Sequence, residues 1–257
     1  MTQINSAALA ASLRENTADL LALIPAVRRS AEHDDGDTAC LDALTRSAYA
    51  SLRLSENLSA YAQLCDAPPA ARAFCASTVC AAFWHGAQNV CKSATLRVQP
   101  LTEPIWTRGS ARLFAVCLGN LVCNSLLYAR DDPVLTLHTE VRAGVAAFTL
   151  HDNGKGMLPS SVGRAFTPWV SRDPYDDGAP APGLGLGLAL VQRYAAAYGG
   201  RLVAESTFGT GSSITLALPR CAAPSADSKT DGPATDFLRD RYSTLYTQLG
   251  AVCALPL

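Results

Sequence analysis

The sequence has no excess of charge of either sign and no long apolar run. Its 21 basic and 22 acidic side chains leave a formal net charge of −1, so no overall basic field indicates a nucleic-acid-binding protein. No apolar run approaches the roughly 18 residues of a membrane-spanning helix. The first residues also lack the basic and apolar regions of a signal peptide. We therefore expect a cytoplasmic protein with no membrane span and no nucleic-acid partner.

The sequence also lacks any pair of cysteines with the C-x-x-C spacing of metal and redox motifs, although it contains nine cysteines. The number is odd, and most of these cysteines lie in apolar, helix-like runs, where a free cysteine behaves as a small hydrophobic residue. We therefore expect a reducing, cytosolic environment and no disulfide scaffold.

The hydrophobic pattern predicts a helical hairpin at the N-terminus. With 49% hydrophobic and 17% charged residues, the 257-residue chain is able to bury a large core. Apolar residues recur at helical spacing over 7–31 and again over 38–64. A hairpin with one apolar seam is half of a four-helix bundle, so dimerisation is the natural way to close its core. The alternative is that the hairpin packs on the rest of its own chain.

Three regions follow from the pattern and from the breaks in it. A proline-rich stretch near residue 68 ends the first region, 1–68, and the second region, 69–220, mixes predicted helices with strands. The third region, 221–257, is a linker followed by an amphipathic helix at about 234–250. In the second region we predict helices over 70–92, over 110–129 and after the glycine-rich segment, and strands at "TLRVQP", "PIWTR", "PVLTLHTEVR", "VAAFTLHDNG", "RLVAEST" and "SSITLALP". The fold class is therefore α+β.

Two asparagines lie four residues apart in the apolar helix "LGNLVCNSLLYA". This spacing puts Asn120 and Asn124 on one helix face. Burying an amide without a partner costs about 1–3 kcal/mol on the protein mutational scale. The two amides therefore need each other or a polar ligand, and the structural alternative is a capping or core amide network.

Three glycine-containing stretches point to a phosphate-bearing ligand. "HDNGKGM" ends a predicted strand, and an acid there is able to accept a hydrogen bond from an exocyclic amine. "GLGLGLAL" opens a helix, where free N–H groups and the helix dipole favour an anion. "FGTGS" is a tight turn between two strands. Each stretch is weak evidence alone, and their order along the chain is more specific.

The ordered motifs resemble the ATP-binding domain of the histidine kinases. "LGNLVCNSLLYA", "DNGKGM", "RAFTPWVSR", "GLGLGLALVQRYAAAYGGRLVAES" and "FGTGSSITLALP" look like the N, G1, F and G2 boxes and the closing strand pair of that domain. The resemblance implies a two-layer α/β sandwich of the Bergerat type, as in the GHKL superfamily of ATPases. It also implies that the N-terminal hairpin resembles a dimerisation and phosphotransfer domain.

The resemblance implies a role for each matching residue. Asn124 would hold the magnesium ion that bridges the phosphates of ATP, and Asn120 would support that ion or the phosphates. Mg²⁺ takes oxygen ligands, which suits an amide oxygen. Asp152 would accept the adenine amino group. The other implied nucleotide contacts are Tyr128 lining the site, Gly154 and Gly156 leaving room for the base, and Gly183, Gly185 and Gly187 with the backbone of Leu186 around the phosphates.

Some positions depart from the family pattern or match it loosely. The implied lid is about 167–182, in which Arg172 is either a contact of the terminal phosphate or a solvated charge. Leu127 stands where many of these kinases have a basic residue, which removes one expected phosphate contact. Hydrolytic members of the superfamily carry a glutamate where Asn120 stands. Because an amide has no useful basicity, efficient ATP hydrolysis by the chain alone is not expected.

The phosphoacceptor histidine of the family is not found. It lies midway along the first helix of the hairpin, and the spacing puts this position near Arg14 or Glu15. The four histidines of the chain are His33, His85, His138 and His151. None of them occupies that site.

Three hypotheses follow. The chain is a protein-histidine kinase that modifies an atypical site or a partner, a nucleotide-binding pseudokinase or scaffold, or an interaction module with a decayed pocket. The family implies ATP and Mg²⁺ as cofactors and a homodimer formed through the hairpin. It also implies a response regulator or a separate sensor protein as a partner.

Overall fold

The computed structural model describes residues 13, 14, 17, 18, 21, 24, 35–99, 103–170, 185–225, 230 and 236–253. The helices are α1 (Asp35–Asp66), α2 (Ala76–Val90), α3 (Ala111–Leu127), α4 (Pro159–Val162), α5 (Gly187–Ala197) and α6 (Thr244–Leu249). The strands are β1 (Arg72–Cys75), β2 (Thr95–Val98), β3 (Trp106–Gly109), β4 (Val134–Arg142), β5 (Val145–Asp152), β6 (Arg201–Thr207) and β7 (Gly211–Pro219).

Five strands form one mixed sheet in the order β2-β4-β5-β7-β6. All neighbouring pairs are antiparallel except β2 and β4, which run parallel. The β4–β5 hairpin turns at Ala143 and Gly144, and both residues have the positive φ that a two-residue turn of type I′ requires. The separate pair β1–β3 is antiparallel.

Alternation along the strands gives the sheet one apolar face, which the helices cover. Ala146, Phe148 and Leu150 of β5 are buried on this face, as are Leu135 and Leu137 of β4. Phe114 of α3 packs edge-on against Phe148 of β5, with 5.1 Å between ring centroids. The α+β class predicted from the sequence is confirmed. The prediction of a helix from residue 70 was wrong at its start, because residues 72–75 form β1.

Helix α1 packs on its own chain, against α5 and α6. Tyr49, Leu52 and Ala60 of this helix are completely buried, and the described residues Leu21 and Ile24 join Tyr49 and Leu52 in a small second core. The described part of the hairpin therefore follows the alternative of packing on its own chain. The homodimer remains a prediction.

The C-terminal segment lies close against the rest of the chain. A Cβ atom added to Gly86 of α2 would lie 2.6 Å from Leu245, and one added to Gly119 of α3 would lie 2.6 Å from Gln248. Glycine at these two positions is what lets α6 approach both helices. Of the predicted helix at 234–250, the structure has helix over Thr244–Leu249, while residues 237–239 form a turn.

Cys91, which follows α2, and Cys253, which follows α6, form a disulfide with 5.2 Å between their Cα atoms. The expectation of reduced cysteines was wrong for this pair, because the partners are 162 residues apart and only the fold brings them together. In the described part of the chain, none of the helices has the length and apolar composition needed to cross a bilayer.

The disulfide predicts the thiol count of the unfolded protein. Because seven of the nine cysteines are free, titration of the denatured, unreduced protein should find seven thiols. The Cys253→Ser variant should show one thiol more than the wild type, since Cys91 is then released. A wild-type count equal to the total number of cysteines would contradict the pairing.

Candidate functional site

Helix α3 links the predicted site residues that the structure describes, because it contacts the start of α5 and, through Ser125, the end of β5. Asn120 and Asn124 lie on α3, Asp152 ends β5 and Gly187 begins α5. A Cβ atom added to Gly187 would lie 2.8 Å from Oδ1 of Asn120 and 3.6 Å from Nδ2 of Asn124. The start of α5 therefore lies directly against both asparagines.

The carboxylate of Asp152 is held in a fixed orientation by three donors. Its Oδ1 accepts hydrogen bonds from the backbone N–H of Gly154 at 2.9 Å and from that of Ser212 at 3.2 Å. Its Oδ2 accepts one from the hydroxyl of Ser125 at 3.0 Å. An ionised carboxylate has about four acceptor positions, so Oδ2 keeps capacity for one more donor.

Sequence reasoning missed Ser125 and Ser212 as partners of Asp152. Ser125 follows Asn124 directly on α3, and Ser212 faces Asp152 in the register of β5 and β7. The position of Ser125 was visible in the motif itself. The position of Ser212 became known only from the pairing of β5 with β7.

Close backbone approach requires the glycines that follow Asp152. A Cβ atom added to Gly154 would lie 2.7 Å from the carbonyl oxygen of Tyr128. Gly156 has φ +66°, and an added Cβ atom there would lie 2.1 Å from the carbonyl oxygen of Thr207. These glycines therefore allow the loop after β5 to fit between α3 and the β6–β7 turn. Tyr128 is half-buried, and its carbonyl oxygen accepts from the backbone N–H of Lys155 at 2.9 Å.

The predicted phosphate loop lies partly within the described residues. Gly185 has φ +66°, and an added Cβ atom there would lie 2.3 Å from the carbonyl oxygen of Val170. Leu186 is buried in the core. Val170 and Gly185, the described residues on either side of 171–184, therefore lie close together. Arg172 and Gly183 lie outside the described residues.

The two asparagines of α3 have opposite environments. Asn120 is completely buried, and its carboxamide uses its full hydrogen-bonding capacity. Its Oδ1 accepts from Nδ2 of Asn57 at 2.8 Å and from Nη2 of Arg53 at 3.3 Å. Its Nδ2 donates to Oδ1 of Asn57 at 2.8 Å and to the carbonyl oxygen of Val116 at 3.0 Å. Asn124, by contrast, is half-buried, and its side chain has no hydrogen-bond partner among the described residues.

Asn120 belongs to a closed ring of four polar side chains, which we call the amide cluster: Arg53 and Asn57 of α1, Asn120 of α3 and Gln248 of α6. Nε2 of Gln248 donates to Oδ1 of Asn57 at 3.0 Å, and its Oε1 accepts from Nε of Arg53 at 3.4 Å. Three helices from distant parts of the sequence thus meet at the amide of Asn120.

The buried carboxyl of Glu56 lies beside the amide cluster. This carboxyl accepts a hydrogen bond from Nε2 of Gln248 at 2.8 Å and another from the hydroxyl of Thr244 at 3.3 Å. Burial raises the pKa of the Glu56 carboxyl above its ordinary value, although these hydrogen bonds and the charges of Arg14 and Arg112 favour the ionised form.

The residues fit a nucleotide at one end of the site and only partly at the other. Asp152 has an acceptor available for an exocyclic amine, and Asn124 has a side chain without a protein partner among the described residues. The oxygen of Asn120 is already shared by two donors, so in this conformation it offers no acceptor to a metal ion. The buried amide of Asn120 therefore has all its hydrogen-bond partners within the protein, without a bound ligand.

Comparison with known proteins gives the family signal for this region. Residues 109–222 match the family model described as "Histidine kinase-, DNA gyrase B-, and HSP90-like ATPase". The sensor-like histidine kinase SenX3 of Mycobacterium bovis is 33% identical over 111 residues, which are 43% of this chain and 27% of SenX3. The histidine protein kinase DivJ of Caulobacter vibrioides is 31% identical over 140 residues, which are 50% of this chain and 23% of DivJ. The match therefore spans about a quarter of the length of these relatives.

Among solved structures, full-length ShkA in complex with AMPPNP is similar to this chain with a TM-score of 0.59 and 20% sequence identity. The similarity covers 87% of this chain and 47% of ShkA, and it supports the fold alone.

The contrast between the asparagines predicts different effects on stability. Asn120→Ala should lower the free energy of unfolding by about 1–3 kcal/mol, because it leaves the buried amide of Asn57 without its main partner. Asn124→Ala should change it by less than about 0.5 kcal/mol. In urea denaturation, the double variant Asn57→Ala/Asn120→Ala should lose less stability than the two single variants added together. Additive losses, or equal losses at Asn120 and Asn124, would contradict the pairing.

Proposed function

We propose that this chain is a histidine-kinase-like signalling protein that binds Mg-ATP. The premise is that residues 109–222 are a domain of the histidine kinase-, DNA gyrase B- and HSP90-like ATPase family. The site would lie between α3, the loop after β5 and the start of α5. The matched segment covers only about a quarter of the length of the relatives. Two-component signalling by the whole protein is therefore proposed here, together with Mg-ATP binding.

The observation that carries the proposal is the carboxylate of Asp152 at the end of β5. Two backbone amides fix its Oδ1, and Ser125 fixes its Oδ2 from α3. An exocyclic adenine amine is a donor that suits the remaining acceptor position. The close approach at Gly154 and Gly156 shapes the loop beside this carboxylate.

At the phosphate end, the side chain of Asn124 would provide an oxygen ligand to Mg²⁺, which accepts a few protein oxygens and keeps several waters. Bound Mg-ATP supplies a phosphoryl group for transfer. Tyr128 would line the nucleotide, and Asn120 would support the ion once its own partners are released. Gly183, Gly185 and Gly187, with the backbone of Leu186, would surround the phosphates, and Arg172 would contact the terminal one.

A pseudokinase or scaffold is the second candidate, and it is favoured because Arg14 and Glu15, not a histidine, stand where the family has its phosphoacceptor. The position expected for a phosphoacceptor lies near Arg14, whose Nη2 donates to the carbonyl oxygen of Tyr242 at 3.2 Å. His85 is exposed on α2, while His138 and His151 lie on strands of the sheet. None of these three described histidines lies on the hairpin. In this second function, ATP would act by favouring one conformation of the chain over another.

The proposed partners follow from the family alone. They are a second copy of the chain bound through the hairpin, a response regulator that receives a phosphoryl group, and a separate sensor protein that supplies the input.

The adenine contact predicts that Asp152→Asn weakens Mg-ATP binding at least tenfold, or about 1.4 kcal/mol. The substitution keeps an oxygen for the backbone amides and puts an NH₂ donor where a donor amine must bind. Glu140→Gln is the matched control, because it removes an exposed carboxylate further along the β4–β5 pair and should leave affinity unchanged. Calorimetric titration measures both, and equal affinities would contradict the assigned contact.

A phosphotransfer assay on the wild-type protein distinguishes a kinase from a pseudokinase or scaffold. Incubation with labelled ATP and magnesium gives acid-labile label on the chain or on an added response regulator if the chain is a kinase. Binding without any transfer of label identifies the pseudokinase or scaffold.

A further inference from the structure

We propose that α1 and α6 form an inhibitory latch on the nucleotide site, in which Asn57 and Arg53 compete with a magnesium ion for the side-chain oxygen of Asn120. This inference rests on the proposed function, because it concerns how Mg-ATP gains access to that same site. The chain would bind Mg-ATP fully only when the amide cluster opens.

The competition follows from the number of hydrogen bonds at one oxygen. A carboxamide oxygen has two lone pairs, and at Asn120 one faces Nδ2 of Asn57 and the other faces Nη2 of Arg53. A cation of charge +2 cannot share this oxygen with two N–H donors whose hydrogens point at it. Binding of the ion at Asn120 therefore requires that at least one of these donors moves away.

A merely positioning role for Asn57 would look different. A side chain that orients a metal ligand contacts its N–H side and leaves the oxygen free for the ion. Asn57 instead contacts both ends of the carboxamide, at 2.8 Å on each side. The arrangement is that of a completed amide pair, which closes Asn120 to other partners.

The C-terminal helix holds the latch shut. Both hydrogens of the Gln248 amide are used on α1, one on Glu56 and one on Asn57, and the Gln248 oxygen accepts from Arg53. Gly119 allows Gln248 to lie directly on α3 next to Asn120. The Cys91–Cys253 disulfide fixes the chain just beyond α6 to the end of α2. Moving Asn57 or Arg53 away from Asn120 therefore also disturbs their contacts with Gln248 of α6.

The latch makes affinity depend on the population of its open state. If the binding-competent state is only a fraction of the molecules, the apparent dissociation constant rises by the inverse of that fraction. Removing Asn57 or Gln248 should enlarge this fraction and tighten binding, although both changes lower overall stability. A loss of stability combined with a gain of affinity is a signature that a purely structural contact does not give.

The test is a calorimetric titration of the full chain with Mg-ATP, repeated with ATP in EDTA. We expect Asn57→Ala to tighten Mg-ATP binding at least about fivefold and Gln248→Ala to act in the same direction. Ser59→Ala, an exposed position on α1, should match the wild type. Without metal, Asn57→Ala should show no gain. Circular dichroism checks folding, and Gln248→Ala decides the question if Asn57→Ala does not fold.

The outcomes separate the latch from the proposed function. If wild type and variants bind Mg-ATP, but Asn57→Ala and Gln248→Ala bind equally or more weakly than wild type, the latch is overturned while the nucleotide site remains. A gain of the same size in EDTA also overturns it, because the competition is then not with the metal. If the wild type and every variant fail to bind Mg-ATP, the proposed function itself fails, and the latch fails with it.

Discussion

The reciprocal carboxamide pair between Asn57 and Asn120 is the interaction on which the described arrangement depends. A buried amide without partners is costly, and here two buried amides satisfy each other across the boundary between an N-terminal helix and the α/β domain. Gln248 and Arg53 close the ring from the C-terminal helix and from α1. The same pair therefore joins α1 to α3, Gln248 adds α6, and the pair occupies the side chain of one candidate site residue.

Much of the fold was predictable, because hydrophobic periodicity is local. The alternation in β4 and β5, the turn at Ala143 and Gly144, and the apolar run of α3 all appear in short windows of sequence. Strand β1 was missed, since its four residues lead directly into α2. The Cys91–Cys253 disulfide was also missed, because nothing local links cysteines separated by 162 residues.

The candidate site shows the same division between local and distant information. In the structure, Asp152 lies beside Ser125, which directly follows Asn124 in the motif, and Gly187 lies against both asparagines. The partner of Asn120 was not predictable, because Asn57 lies 63 residues earlier in a helix whose pattern suggested a dimer interface. The need of the Asn120 amide for a polar partner was predictable from the sequence. The predicted partner was a metal-bound nucleotide, whereas the partner in the structure is Asn57.

The two ends of the site thus differ in whether their side chains are available to a nucleotide. The Asp152 carboxylate is fixed by three donors, while access to Asn120 depends on α1 and α6. Hydrogen exchange of the wild-type protein, with and without saturating Mg-ATP, tests this coupling most directly. The account predicts faster exchange around residues 53–57 and in α6 when Mg-ATP is bound, together with slower exchange around Asp152. Unchanged or slower exchange in α1 and α6 at saturation would contradict it.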